Sequence, residues 1–259
     1  MTTNMAKSFA SDHATDAEDY KTRCELAAIY RLLAHFHMSD LIYTHVSARL
    51  PGNHDRFLIN PYGMLFHEIC ASDLVEVGPD GVALSAGKGG TEVNAAGFNI
   101  HSAIHAGRRE VRFVIHTHTR AGAAVSCQRE GLLPISQQAL MFHDRLGYHD
   151  YEGFALDAEE RVRLIADIAE HKGLIMRNHG LLAVGRTAAE AFGRIYMLER
   201  ACEIQIAALA GGRELVIPSP EVQAHTGAQA NPEGLADWED LAWNSALRLI
   251  SANKPDYRD

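Results

Sequence analysis

A chain of 259 residues that is 47% hydrophobic has enough apolar material for a sizeable core, and a net charge of −9 argues against a nucleic-acid groove, which needs clustered lysine and arginine. No apolar run approaches the roughly 20 residues of a membrane span, and residues 1–16 lack the basic-then-apolar order of a secretory signal. Cys24, Cys70, Cys127 and Cys202 lie far apart without C-x-x-C spacing and read as reduced, mostly buried thiols of a cytoplasmic protein.

Residues 1–16 are small and polar and are expected to form a flexible arm, followed by one domain over 17–259 that includes a helical tail at 233–259. From Ala17, Leu26, Ile29, Tyr30, Leu33 and Phe36 recur at helical spacing. Leu41–Leu50 alternates like a strand, Pro51–Asp55 supplies turn chemistry and Phe57–Asn60 returns, which predicts an antiparallel hairpin. Short strands are expected at Leu74–Val77 and Val82–Leu84. Residues 85–91 (SAGKGGT) lack the G-x-x-x-x-G-K-[ST] order and read as a loop rather than a phosphate cradle. A helix is expected at Ala95–Ala106, a buried strand at Val111–Ile115 and a short helix at Ala121–Cys127. Leu132–Gln138 and the polar aromatic stretch Tyr148–Gly153 are assigned no regular element. A helix at Ala158–His171, strands at Gly173–Met176 and Leu181–Val184, and a long helix from a capping box at Thr187–Glu190 to about Ala210 follow. The stretch at 218–232 reads as loose, and a last helix is expected at about Leu235–Ser251.

Two apolar runs stop at histidine. Val111–Ile115 leads into His116-Thr117-His118, and Gly173–Met176 leads into Arg177-Asn178-His179-Gly180. Side chains at i and i+2 of a strand share a face, so His116 and His118 form half of a divalent-metal site. A third histidine from a turn completes three ligands and leaves positions open for chemistry. With 15 histidines in the chain, the alternative is chance spacing with each ring hydrogen-bonded as structure.

The ordered segments THVSARLP, FLINPYGMLF, HSAIH, VIHTHTRAGAAVS and MRNHGLLAVG, followed by the helix AAEAFGRIYMLERACEIQI, resemble the class II aldolase/adducin family over about residues 20–210. The terminal WNSALRLISANKPDYRD also resembles the tails of adducin-like bacterial members. The resemblance implies an α/β fold: a three-layer αβα sandwich around a mixed, mainly antiparallel sheet. It further implies a homotetramer with sites at subunit junctions, and His116, His118 and His179 holding zinc or another divalent ion such as manganese, cobalt or iron.

The departures from the family pattern are as informative. Aligned with the sugar-phosphate aldolases, Gly97 falls on the acid/base glutamate, Ala95 and Ala96 on the phosphate-holding hydroxyl pair, His45 on the phosphate-turn asparagine, and Gln138 near the proton-donating tyrosine. The metal ligands are kept while the phosphate pocket and acid/base set are not. The expected function is a metal-dependent carbon–carbon lyase, of aldolase or decarboxylase type, acting on a non-phosphorylated hydroxy- or oxo-acid through a metal-stabilised enolate. Alternatives are a non-heme iron oxygenase on the same three histidines and a non-catalytic adducin-like scaffold.

Proton handling falls to Glu92, otherwise a solvated loop charge, and to Tyr148 and Tyr151, otherwise packing residues. Arg120 is a candidate fork for a substrate carboxylate, otherwise a surface or intersubunit ion pair. Gln138 and His45 are further substrate-binding candidates. His45, His101, His105, His143 and His149 are candidate fourth ligands or proton relays, each also readable as structural.

Overall fold

The computed structural model describes residues 3–52, 55–85, 87–230 and 232–259, with the side chains of 3–15 and 232–237 outside that description. Helix α1 spans Thr3–His35, and Leu26, Ile29, Tyr30 and Leu33 are fully buried at the expected spacing. The arm expected at 1–16 falls almost wholly outside the described side chains. The Tyr30 hydroxyl accepts from the backbone N–H groups of Val46 and Asn60 at 2.9 and 3.1 Å, tying α1 to the sheet.

Eight strands form one sheet: β1 His45–Arg49, β2 Phe57–Ile59, β3 Val75–Val77, β4 Ala83–Ser85, β5 Phe113–Thr117, β6 Leu146–His149, β7 Gly173–Met176 and β8 Gly180–Gly185. Their order is β4-β3-β2-β1-β5-β8-β7-β6, and only the β6–β7 pair is parallel. The remaining helices are α2 Ala95–Gly107, α3 Arg120–Ser126, α4 Gln137–Leu140, α5 Glu160–Ile168, α6 Ala188–Ala210, α7 Pro220–Gln229 and α8 Pro232–Ile250.

Period-two alternation divides the strand side chains between two cores. Val46, Ala48, Phe113, Ile115, Ile175, Leu181 and Ala183 pack with α1 and α6 on one face. Val114, Leu174, Met176, Leu182 and Val184 pack with Ile100 and Ile104 of α2 and Leu164 and Ile168 of α5 on the other. The result is the expected αβα sandwich with a mixed, mainly antiparallel sheet. Among the described residues no helix is long and apolar enough to cross a membrane.

Four expectations are corrected. β1 begins at His45 rather than Leu41, because Leu41 sits in the left-handed region at φ 47° and cannot continue a strand. Tyr148 and His149 belong to β6, whose pairing with β7 and not its own pattern makes it a strand. The stretch read as loose contains α7, started by Ser219, which accepts from Val222 N–H, with Pro220 in its first turn; no apolar stripe advertised it. Residues 137–140 form α4, capped by the Ser136 hydroxyl on Ala139 N–H. The capping box holds in part: Thr187 accepts from Glu190 N–H at 3.1 Å, while the Glu190 carboxylate reaches back one residue further, to Arg186 N–H.

Candidate metal centre

β5 lies at the centre of the sheet between β1 and β8, with His116 paired to His45 on one side and Leu182 on the other. β5 ends at Thr117, so His118 is the first residue beyond it. The third histidine comes from the β7–β8 turn, where Asn178 adopts φ 56°, a left-handed conformation that asparagine tolerates. A Cβ on Gly180 would lie 2.3 Å from the Thr117 carbonyl oxygen, so only glycine lets the start of β8 close on the end of β5. The end of α3 then holds the turn: Ser126 O accepts from Asn178 N–H at 3.2 Å, and Ser126 Oγ accepts from His179 N–H at 3.1 Å.

This convergence sets His116 Nε2 and His179 Nε2 each 2.8 Å from His118 Nε2, with all three ring pairs 4.7 Å apart. His116 Nδ1 donates to Leu181 O at 2.9 Å, and His118 Nδ1 donates to the Asp40 carboxylate at 3.2 Å. Carbonyl and carboxylate oxygens only accept, so the proton of each neutral ring is on Nδ1 and two bare Nε2 lone pairs face each other. Burial, reinforced by the neighbouring imidazoles, lowers His116 well below the ordinary histidine value. Burial also lowers His118, against the pull of Asp40, and brings His179 down to about 4. Neutral lone pairs at that distance repel each other and fit a shared cation. Opening the nitrogens to about 3.4 Å would seat a tetrahedral zinc at its usual Zn–N distance of about 2.1 Å. The three residues form the group of metal-ligating atoms found among the described residues.

The shell around them includes residues the sequence did not reveal. Asp40 orients His118, as carboxylates behind metal-bound imidazoles do, yet it lies in a connector 78 positions away with no motif to mark it. Thr119 donates to the buried Glu199 carboxylate of α6, bracing the backbone next to His118. Burial raises the Glu199 carboxyl above its ordinary value.

Of the nominated residues, the fold brings some to the tripod. His45 stacks on His116 with ring centroids 5.0 Å apart, and its Nδ1 is 2.8 Å from His101 Nε2. Tyr151 is exposed, with its ring 6.4 Å from that of His179. Arg120 is exposed at the first turn of α3, two residues after His118.

Others are placed elsewhere. Tyr148 projects to the α1/α6 face, where its hydroxyl accepts from Leu132 N–H at 3.2 Å and Arg177 covers its ring. Glu92 is exposed on the loop before α2, its backbone carbonyl accepting from Tyr62 N–H, and its side chain makes no hydrogen bond to the tripod. Gln138 lies on α4, which packs against α6 and α7. His143 pairs with Asp144, and His149 is held between Asp167 at 2.7 Å and Glu160 at 3.3 Å. Gly97 is filled from outside: a Cβ there would lie 2.6 Å from His45 Cδ2, so the imidazole occupies the space a side chain at 97 would take.

Residues 24–206 match the family described as Class II Aldolase and Adducin N-terminal domain. A protein of Caulobacter vibrioides named for the aldolase class 2 group is 46% identical over 241 residues, 93% of each chain. Mouse alpha-adducin is 41% identical over 235 residues, covering 89% of this chain but 32% of its own length. The crystal structure of an aldolase II superfamily protein from Pseudomonas syringae superposes with a TM-score of 0.89 at 48% identity, covering 93% of this chain and 96% of that one. The chain belongs to the class II aldolase and adducin family.

Proposed function

We propose that this protein is a divalent-metal-dependent carbon–carbon lyase, of aldolase or decarboxylase type, acting on a non-phosphorylated hydroxy- or oxo-acid, with zinc at the tripod. The observation that carries the reading is the pair of facing Nε2 lone pairs on His116 and His118, fixed by Leu181 O and Asp40. His116, His118 and His179 would hold a divalent ion, which would supply Lewis acidity to substrate oxygens and ease the charge left when the neighbouring carbon–carbon bond breaks. Arg120 binds the free end of a carboxylate through its guanidinium fork. Tyr151, beside His179, supplies a phenolic proton to the enolate carbon left behind once the aldehyde or carbon dioxide has departed. The first turn of α2 offers Ala95, Ala96 and Gly97, whose side chains cannot hydrogen-bond a phosphate, which favours an acid without one.

The test is elemental analysis of protein purified without added metal or chelator, beside a His116→Ala/His118→Ala variant. About one zinc per chain, lost in the variant, with turnover abolished by chelation and restored by the ion, is the expected result. Iron with oxygen consumption would move the chemistry to an oxygenase. No metal in either protein, and none taken up on titration, would leave the scaffold role that kinship with alpha-adducin favours. We also propose a cytoplasmic homotetramer. Exposed Phe154 and Leu156, a few residues after Tyr151, and exposed Val162 on α5 suit burial against a neighbouring copy, and light scattering of the eluted protein would test the tetramer.

A further inference from the structure

Behind the tripod lies a buried row of polar groups that metal ligation does not use. His45 Nδ1 is 2.8 Å from His101 Nε2, His101 Nδ1 is 2.5 Å from Ser47 Oγ, and Ser47 Oγ is 2.8 Å from His105 Nε2. All four residues are at most 4% exposed. Alternation along β1 aims His45 and Ser47 at the same face, and His101 and His105 are one helical turn apart on α2, so the two elements interleave into one line. All three rings are buried, which keeps them neutral, and burial lowers His101 well below the ordinary value and His105 to about 3.

Counting protons then fixes what the row can do. Three neutral imidazoles carry one N–H each and Ser47 carries one O–H, four protons for three hydrogen bonds. If every bond is made, all protons point the same way and the fourth sits at one end, on His105 Nδ1 or on His45 Nε2. The two ends differ. His105 Nδ1 is buried with no hydrogen-bond partner, and since Nε2 is taken by Ser47, the Val111 backbone acceptor that raises the His105 pKa favours a proton on the other nitrogen, Nδ1. The Val111 oxygen already takes Arg49 Nε–H at 3.2 Å and has a second lone pair to offer. At the other end, His45 stacks on His116, and a cation in the tripod favours a lone pair and repels an N–H. Both ends favour the same polarity. Among the described residues His45 Nε2 has no hydrogen-bond partner, and it is not among the polar atoms sealed from solvent.

We infer that Ser47, His101 and His105 are positioning residues that hold His45 as its Nδ1–H tautomer, presenting a bare Nε2 at the metal site as a fixed acceptor for a hydroxyl proton of the bound acid. The inference deepens the proposed lyase reading and narrows its substrate to an acid whose chelating set includes a free hydroxyl. Gly97 belongs to the same device, since any larger residue would push His45 out of line.

The first half is tested without metal or substrate. Solid-state 15N spectra of the zinc-free, full-length protein with 15N-labelled histidine, His45 being assigned by difference against His45→Gln, report which ring nitrogen carries the proton. A protonated Nδ1 and bare Nε2, becoming a mixture in Ser47→Ala, is expected; a protonated His45 Nε2 overturns the inference. The wild-type spectrum decides this even if Ser47→Ala does not fold. The second half compares glycolate with methoxyacetate, which lacks the hydroxyl proton, by calorimetry on the zinc-loaded protein. Glycolate should bind at least about five-fold tighter, a preference shrinking to under about two-fold in His45→Leu. Equal affinities in the wild type, or a preference unchanged in His45→Leu and therefore steric, overturn it. Failure to take up zinc would instead overturn the lyase reading and the hydroxyl-binding half with it, while the tautomer stands or falls by its own spectrum.

Discussion

Asp40 touches the tripod only through His118, and that contact suffices to make it matter. Removing the carboxylate frees the ring to turn and to change tautomer, so Asp40→Ala should lower zinc affinity about 10- to 100-fold, measured by competition with a chromophoric chelator, with folding unchanged. Unchanged affinity would mean that the backbone alone orients His118. The buried row behind the tripod makes a separate prediction about pH. His105 resists protonation until about 3, whereas in the unfolded chain it accepts a proton near 6.5. The unfolded state therefore binds more protons in that window, and stability falls as pH drops from about 6.5 toward 3. Between pH 7 and 5 each such ring contributes at most about 2 kcal/mol, so the urea midpoint of the zinc-free protein should be clearly lower at pH 5. A midpoint that holds or rises would mean the row is protonated when folded. His116, His118 and His179 were legible in the sequence because two apolar runs lead into them, with His116 and His118 at the i, i+2 spacing of one strand face. Asp40 and Glu199 were not, because their partners are reached only through tertiary packing.

Among the elements, the β5–β8 junction is where glycine decides the geometry. A methyl group on Gly180 would force the Thr117 carbonyl away from its 2.3 Å approach, separating the strands at the point where His179 must meet His118. Gly180→Ala should destabilise by about 1–3 kcal/mol and lose metal as well, seen as a lower melting temperature together with reduced zinc content. Loss of stability with full zinc content would show that the turn adapts independently of the strand. Elements with their own periodicity, such as α1, α5, α6 and the hairpin β1–β2, could be read from the sequence. β6 and α7 could not, since β6 is a strand only because β7 lies beside it, and α7 is fixed by a serine cap and a close fit of Gly227 against His143. Register is likewise invisible in one dimension: the pairing of His45 with His116 turns a residue aligned to a phosphate contact into the inner neighbour of the three-histidine cluster.

For the molecule as a whole, a ligand that binds only the folded state adds stability by mass action. Zinc at about 100 times its dissociation constant should add about 2.7 kcal/mol, read as a rise in melting temperature that EDTA reverses and His116→Ala abolishes. A rise that persists in His116→Ala would place the zinc elsewhere. The histidines come from the middle of the sheet, from strands whose partners lie far apart in the chain: β5 meets β1 and β8, and the last of the three, His179, arrives 61 residues after His118. Such long-range pairings close late, after the chain has already borne most of the entropy of ordering itself. In an early collapsed chain the ion meets only the local His116 and His118 pair, too few ligands to template folding as it does in small zinc domains. Refolding in zinc should proceed at the metal-free rate while unfolding slows, so that the bound ion acts as a lock on the finished protein rather than a seed for it.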